Sequence, residues 1–185
     1  MYSLKIITSF IFFNLLFTFC YSQGFIDFSL KDLNDNKVVL SEQLNNGPVI
    51  LIFMATWCNP PCTNLLQNFN NNELLNKKAI KIFPIIYQKE KKDKILKYIQ
   101  NNNFNYDFLI DGLDTCIDIY DKYYERITDN TGGDIPLIFL INKEKQILFE
   151  ILGDIFYEGT GDNAKRLKAG KEKLFLIIEN LLDSN

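Results

Sequence analysis

The chain has 185 residues, 47% of them hydrophobic and 23% charged, with a net charge of −3. That profile fits one ordinary globular domain with enough apolar material for a proper core, and no basic run is dense enough to address nucleic acid. Histidine is absent, which removes Ser-His-Asp and Cys-His catalysis, His-bearing zinc sites and the usual general base together.

Residues 1–22 have the pattern of an export signal. Lys5 precedes an apolar run from Ile6 to Phe19, interrupted by Thr8, Ser9, Asn14 and Thr18, and Cys20-Tyr21-Ser22 sets small residues before a cut ahead of Gln23. The run falls short of the ~20 residues a spanning helix needs. Cys20 could instead carry a lipid and leave a membrane-anchored form, although Phe19 stands where lipoprotein signals want a small residue. The expected division is a signal peptide over 1–22 and one domain over 23–185.

In the mature chain, Ile26–Leu30 and Lys37–Leu40 are strand-like segments around the turn residues Asn34-Asp35-Asn36, which predicts a hairpin. Ser41 is placed to cap a short helical turn. Val49–Met54 is wholly apolar, as in a strand buried on both faces. It leads through Ala55-Thr56-Trp57 to Cys58-Asn59-Pro60-Pro61-Cys62. A helix is expected from Pro61 to about Asn76, with Leu65, Leu66 and Phe69 on the stripe of Cys62.

Next come a buried strand over Ala79–Tyr87 and a Lys-rich helix over Glu90–Asn101 that turns Ile95, Leu96 and Ile99 inward. A strand over Phe104–Ile110 follows, then a helix from Leu113 to about Tyr124. On that helix Cys116 shares a stripe with Leu113, Ile117, Tyr120 and Tyr124, which predicts a packing role for this odd thiol rather than a regulatory one. Leu137–Ile141 and Gln146–Ile151 form a second hairpin, and a helix over Ala164–Leu182 buries Leu167, Leu174, Ile177, Ile178 and Leu181. Gly132-Gly133 is a lone glycine pair and no phosphate cradle. Strands alternating with helices between two hairpins imply an α/β sandwich on a mixed sheet.

A strand that delivers two cysteines to a helix start suits thiol–disulfide chemistry, because the helix N-terminus favours a thiolate. A static disulfide or two buried thiols would fit the same spacing. Asn59 and Pro60 each precede a proline and should leave the helical region, so Cys58 can fold back and a Cys58–Cys62 bridge is feasible. Cys62 belongs to the buried stripe, and Cys58 is expected to be exposed.

The order of these motifs resembles the thioredoxin-like superfamily, and within it the exported TlpA/ResA-type thiol–disulfide oxidoreductases of the redoxin group. Phe28–Asp32 with Val39-Leu40-Ser41 resembles that family's opening hairpin, Phe53–Cys58 and Pro61-Cys62 its active-site strand and turn, and Gly133–Asn142 its cis-proline segment. The resemblance implies a central mixed β-sheet flanked by helices with an N-terminal β-hairpin. It also implies a catalytic pair in which Cys58 attacks and Cys62 resolves, and a substrate groove at Trp57, Pro61, Ile135 and Pro136, with a cis Ile135–Pro136 bond.

The implied partners are exported proteins carrying cysteines or disulfides and a membrane electron donor, in a periplasmic or other extracytoplasmic compartment. No cofactor, metal or nucleic acid is implied, and the role the resemblance implies is reductive. Three residues separate the cysteines where the family has two, and Ile52 stands where thioredoxins carry a buried aspartate. A three-residue gap also occurs in the thioredoxin-like Sco copper proteins, so a Cu(I)-binding protein is an alternative, without the histidine those proteins use. A redox-inactive binding module is another. The thiol peroxidase pattern Pro-x-x-x-Thr-x-x-Cys is missing, since Ala55 and Asn59 occupy the threonine places.

Overall fold

The computed structural model describes residues 24–77, 80–127 and 135–183. The expected leader and Gly132-Gly133 lie outside the described residues. β1 (Ser29–Asp32) and β2 (Lys37–Val39) form the N-terminal antiparallel hairpin. The Asp32 carboxylate accepts the Asn34 and Asn36 N–H groups at 2.8 Å each and Asp35 takes φ 64°, which is why the turn is built of Asp and Asn. In α1 (Leu40–Leu44) Ser41 is not the cap: it lies inside the helix and donates its N–H to Asp27 Oδ1 at 3.0 Å. A carboxylate from the preceding segment fills the capping role.

β3 (Val49–Met54) is buried at every position. α2 (Pro61–Asn70) ends before the expected Asn76, and α3 (Glu73–Lys77) restarts the helix. The break is made by Asn72, whose Oδ1 accepts from Leu74 N at 3.0 Å and Leu75 N at 3.2 Å; a side chain that caps a helix competes with continuing one. Then follow β4 (Lys81–Ile86), α4 (Lys92–Asn102), β5 (Leu109–Ile110), α5 (Leu113–Ile127), β6 (Leu137–Ile141), β7 (Ile147–Leu152) and α6 (Asp162–Asp183). The strand expected over Phe104–Ile110 shrinks to two residues. Phe104 and Phe108 serve instead as core aromatics, 5.5 and 6.4 Å from the Tyr98 ring.

The strand order is β2-β1-β5-β4-β3-β6-β7. β3 pairs parallel with β4 and antiparallel with β6, so the sheet is mixed. Its strict alternation divides the core. Ile50, Ile52 and Met54 join Cys62, Leu65 and Phe69 of α2, Ile95 of α4, and Leu174 and Ile178 of α6. Val49, Leu51 and Phe53 join Leu40 and Leu44 of α1 with Cys116, Ile119 and Tyr123 of α5. The central strand thus lies between helical layers, each fully buried aliphatic or aromatic side chain contributing about 1.5–3 kcal/mol.

Two helices are rotated from their expected faces. On α4 Leu96 is partly exposed, while Ile95 is buried and Tyr98 and Ile99 pack at its side. On α5 Leu113 and Ile117 face outward, and Cys116 enters the core beside Ile119 and Tyr123. Just before α5 the chain passes close to β4 at Gly112: its N–H bonds to Ile86 O at 3.1 Å, and a Cβ there would come within 2.5 Å of Ile85 Cγ2. Among the described residues no helix is long and apolar enough to cross a membrane.

Candidate active site

β3 ends at Met54, and the chain turns through Ala55-Thr56-Trp57 beyond the C-terminal end of this central strand before α2 begins. Cys58 and Cys62 form a disulfide with S–S 2.11 Å and Cα–Cα 5.4 Å, inside the usual Cα range for such a bridge. Cys58 N–H donates to Ala55 O at 3.1 Å, and Cys58 O accepts from Cys62 N at 3.0 Å. The extra residue is therefore absorbed by an α-like turn that precedes the helix proper. Pro61 is the first helical residue, as expected. Pro60 departs from expectation: it takes helical angles, φ −85° and ψ −19°, and its carbonyl accepts from Asn64 N at 2.8 Å. The preference of a pre-proline residue for extended backbone yields here to the first bond of the helix ladder. The Asn59–Pro60 peptide is cis.

Cys58, expected to be exposed, retains only 7% of its surface, and Cys62 retains none. In the disulfide, Cys58 belongs to the buried cluster of Met54, Cys62 and Leu65. Trp57, 55% exposed, flanks Cys58 on one side, and the exposed Asn59 and Pro60 on the other.

The segment after β4 holds this loop, and sequence reasoning missed it. The sequence pattern starts the Lys-rich helix at Glu90; α4 begins at Lys92 instead, and the Glu90 side chain points inward with 5% exposure. Its Oε1 accepts the Thr56 N–H at 2.9 Å, its Oε2 accepts the Thr56 hydroxyl, and Lys94 Nζ lies 2.6 Å from Oε2. Burial opposes ionisation of this carboxyl, but the bonds from Lys94 and Thr56 outweigh it and hold the pKa below the usual value. Next to it, Trp57 Nε1 donates to Gln88 Oε1 at 3.1 Å, and Gln88 Nε2 donates to the Tyr87 hydroxyl at 2.6 Å. No periodicity marks Glu90, because an acid among lysines has the pattern of a solvated surface.

On the α2 side a groove of about 900 Å³ runs past Pro60, Pro61, Thr63, Asn64, Ile135, Pro136, Asp154 and Tyr157. Three of the four residues expected to form a groove, Pro61, Ile135 and Pro136, line this one; Trp57 is not among its lining residues. The Ile135–Pro136 peptide is cis. Asp154 is a further buried carboxylate that the sequence did not disclose. It accepts from Asn64 Nδ2 at 2.6 Å and Phe156 N at 2.9 Å. Burial raises its pKa, and the bonds from Asn64 and Phe156 with the nearby Lys171 only partly oppose that. Ile52, between Pro84 and Ile138 in the sheet, is fully buried, so β3 supplies no carboxylate beneath Cys62.

A disulfide in this position is an electrophile toward a thiolate, and the reduced pair can return two electrons by attack of one sulfur and resolution by the other. Among the described residues no group of three or more His, Cys, Asp or Glu side chains is placed to hold a metal ion.

A sequence model described as the AhpC/TSA family matches residues 22–149. No curated protein matches the chain. Among solved structures, peroxidoxin BcpB from Mycobacterium tuberculosis superposes with a TM-score of 0.59 at 20% identity, over 85% of this chain and 95% of that one. A protein assigned as the thiol:disulfide interchange protein DsbE from Chlorobium tepidum gives 0.59 at 18%, over 84% and 95%. The thioredoxin domain of a thiol-disulfide oxidoreductase from Bacteroides vulgatus gives 0.55 at 18%, over 85% and 94%. These likenesses show a thioredoxin-like fold.

Proposed function

This chain belongs to the AhpC/TSA family, and on that premise we propose that it is an exported thiol–disulfide oxidoreductase of the TlpA/ResA type that reduces disulfides in exported proteins. The observation that carries the reading is the Cys58–Cys62 disulfide at the start of α2. Oxidoreductase chemistry accords with the family. The missing threonine of the peroxidase pattern favours exchange with protein thiols over turnover of a peroxide.

In the reductive direction, Cys58 thiolate attacks a partner disulfide and one partner sulfur leaves as a thiol. Cys62 thiolate then attacks the Cys58 sulfur, the second partner thiol departs, and the protein retains the disulfide. A membrane electron donor restores the dithiol. Cys58 is assigned the first attack because it precedes the helix and keeps some accessible surface, whereas Cys62 keeps none. Trp57, Pro61, Ile135 and Pro136 are assigned to partner binding around the sulfurs.

The test is a pair of variants expressed with the full leader and analysed on non-reducing gels with mass spectrometry. Cys62→Ser should accumulate mixed disulfides with partners, and Cys58→Ser should trap none. The trapped protein should lack Met1–Ser22. Trapping by Cys58→Ser alone would exchange the two roles, and trapping by neither would remove the exchange function.

A further inference from the structure

Beside the loop that carries Cys58 lies a second, apolar depression of about 300 Å³. Tyr87, Leu113, Cys116, Ile117, Tyr120 and Ile135 wall it, with Asp121 at its edge. Ile135 also lines the groove along α2, so the residue before Pro136 is the ridge between the two. At its other end the depression is tied to the active loop, because the Tyr87 hydroxyl accepts from Gln88, which accepts from the Trp57 indole. Trp57, Leu113 and Ile117 are 55%, 44% and 48% exposed. Large apolar side chains gathered at the border of a reactive site mark a binding surface.

α5 sets this surface in an acidic frame. Asp114, Asp118 and Asp121 are exposed and recur at helical spacing beside Leu113 and Ile117. Lys122, the neighbouring cation, is directed elsewhere and donates to Gly24 O at 3.3 Å.

We infer, on the reading of Cys58 and Cys62 as an exchange site, that this depression receives one large aliphatic or aromatic side chain of the partner polypeptide beside its exchanging cysteine, and that the acidic stripe of α5 favours a Lys or Arg beyond it. The depression is linked to the disulfide through Ile135, which packs against the cluster of Cys58 and Cys62, and to Trp57 through Gln88 and Tyr87, and its charge complements a cationic segment. Its volume suits one side chain. The substrate class is therefore a cysteine segment with an apolar anchor and a basic flank.

The experiment uses the dithiothreitol-reduced protein, freed of excess reductant, and peptide–glutathione mixed disulfides. The peptides carry Leu or Ala within two positions of the cysteine, and Lys or Glu beyond it. Cys58 thiolate takes the peptide sulfur and expels glutathione as a thiol; Cys62 then releases the peptide thiol and the protein becomes the disulfide. Each rate is divided by that for bis(2-hydroxyethyl) disulfide, which has no side chain to anchor. The Leu/Lys peptide should exceed the Ala/Glu peptide by about ten-fold in this ratio, a factor well within what burying one leucine supplies.

Ile117→Asp should bring the Leu and Ala ratios together, and Asp118→Lys with Asp121→Lys should reverse the Lys-over-Glu preference. Equal ratios for the unmodified protein, or ratios that neither variant moves, overturn the inference. So does a dimer in sedimentation that Ile117→Asp dissolves, since a second copy would then own the surface. Failure to reduce even the reference disulfide strikes the exchange reading itself, and so is distinguishable from failure of the docking surface.

Discussion

Glu90 accepts from both the backbone N–H and the hydroxyl of Thr56, two residues before Cys58, and so anchors the active loop through a nearly buried carboxylate. Its folded pKa lies below the ordinary 4.5. A carboxyl shifted downward contributes stability that is fully present above the unfolded value and is lost as the pH falls through the folded one. Trp57 emission should therefore show a transition that begins below about pH 4.5 and is absent in Glu90→Gln. Glu90→Ala should lower unfolding free energy by about 2 kcal/mol, the scale of a hydrogen bond to a charged group. Glu90→Gln and Thr56→Val should slow exchange non-additively, because each breaks the same contact. Additive effects on the exchange rate, or an acid transition that survives Glu90→Gln, would show that the clamp is not what positions the loop.

At the scale of elements, the join between α2 and α3 rests on one side chain. Asn72 serves the Leu74 and Leu75 N–H groups that would otherwise lack partners at the start of a short helix. Asn72→Ala should cost about 1 kcal/mol and Asn72→Asp very little, as read by urea denaturation. Equal stability of Asn72→Ala and the parent would mean that α3 is held by the burial of Leu75 alone. This join lies away from the cysteines, so the exchange rate should not change with it.

For the molecule as a whole, the disulfide closes a short loop next to a core already complete on both faces of the sheet. Loop-closure entropy for so short a crossing is worth about 2 kcal/mol. Reduction should therefore lower the unfolding free energy by no more than about that amount, and the reduced protein should remain folded. Urea denaturation with and without dithiothreitol measures this. A reduced chain that unfolds outright would assign the bridge a structural role instead of a reversible one.

The sequence by itself determined the central strand, the hairpins, the last helix and the cysteine pair at a helix start. Each of these is written locally: an unbroken apolar run in Val49–Met54, turn residues between short strands, and Pro61 at a first helical position. The rotation of α4 and α5 was decided by packing, because Leu96, Leu113 and Ile117 satisfy an apolar stripe as well as the residues that actually face the sheet. The break at Asn72 depended on which of two local hydrogen-bond choices the fold completes. Glu90 and Asp154 could be found only in three dimensions. A carboxylate on a loop carries no periodic signal, and its value here comes from the distant residues it meets: Thr56, 34 positions away, and Asn64, 90 positions away. Tertiary structure alone brings those groups to the two sides of Cys58 and Cys62, because it is the order of strands in the sheet, and not their order in the chain, that sets which loops share an edge.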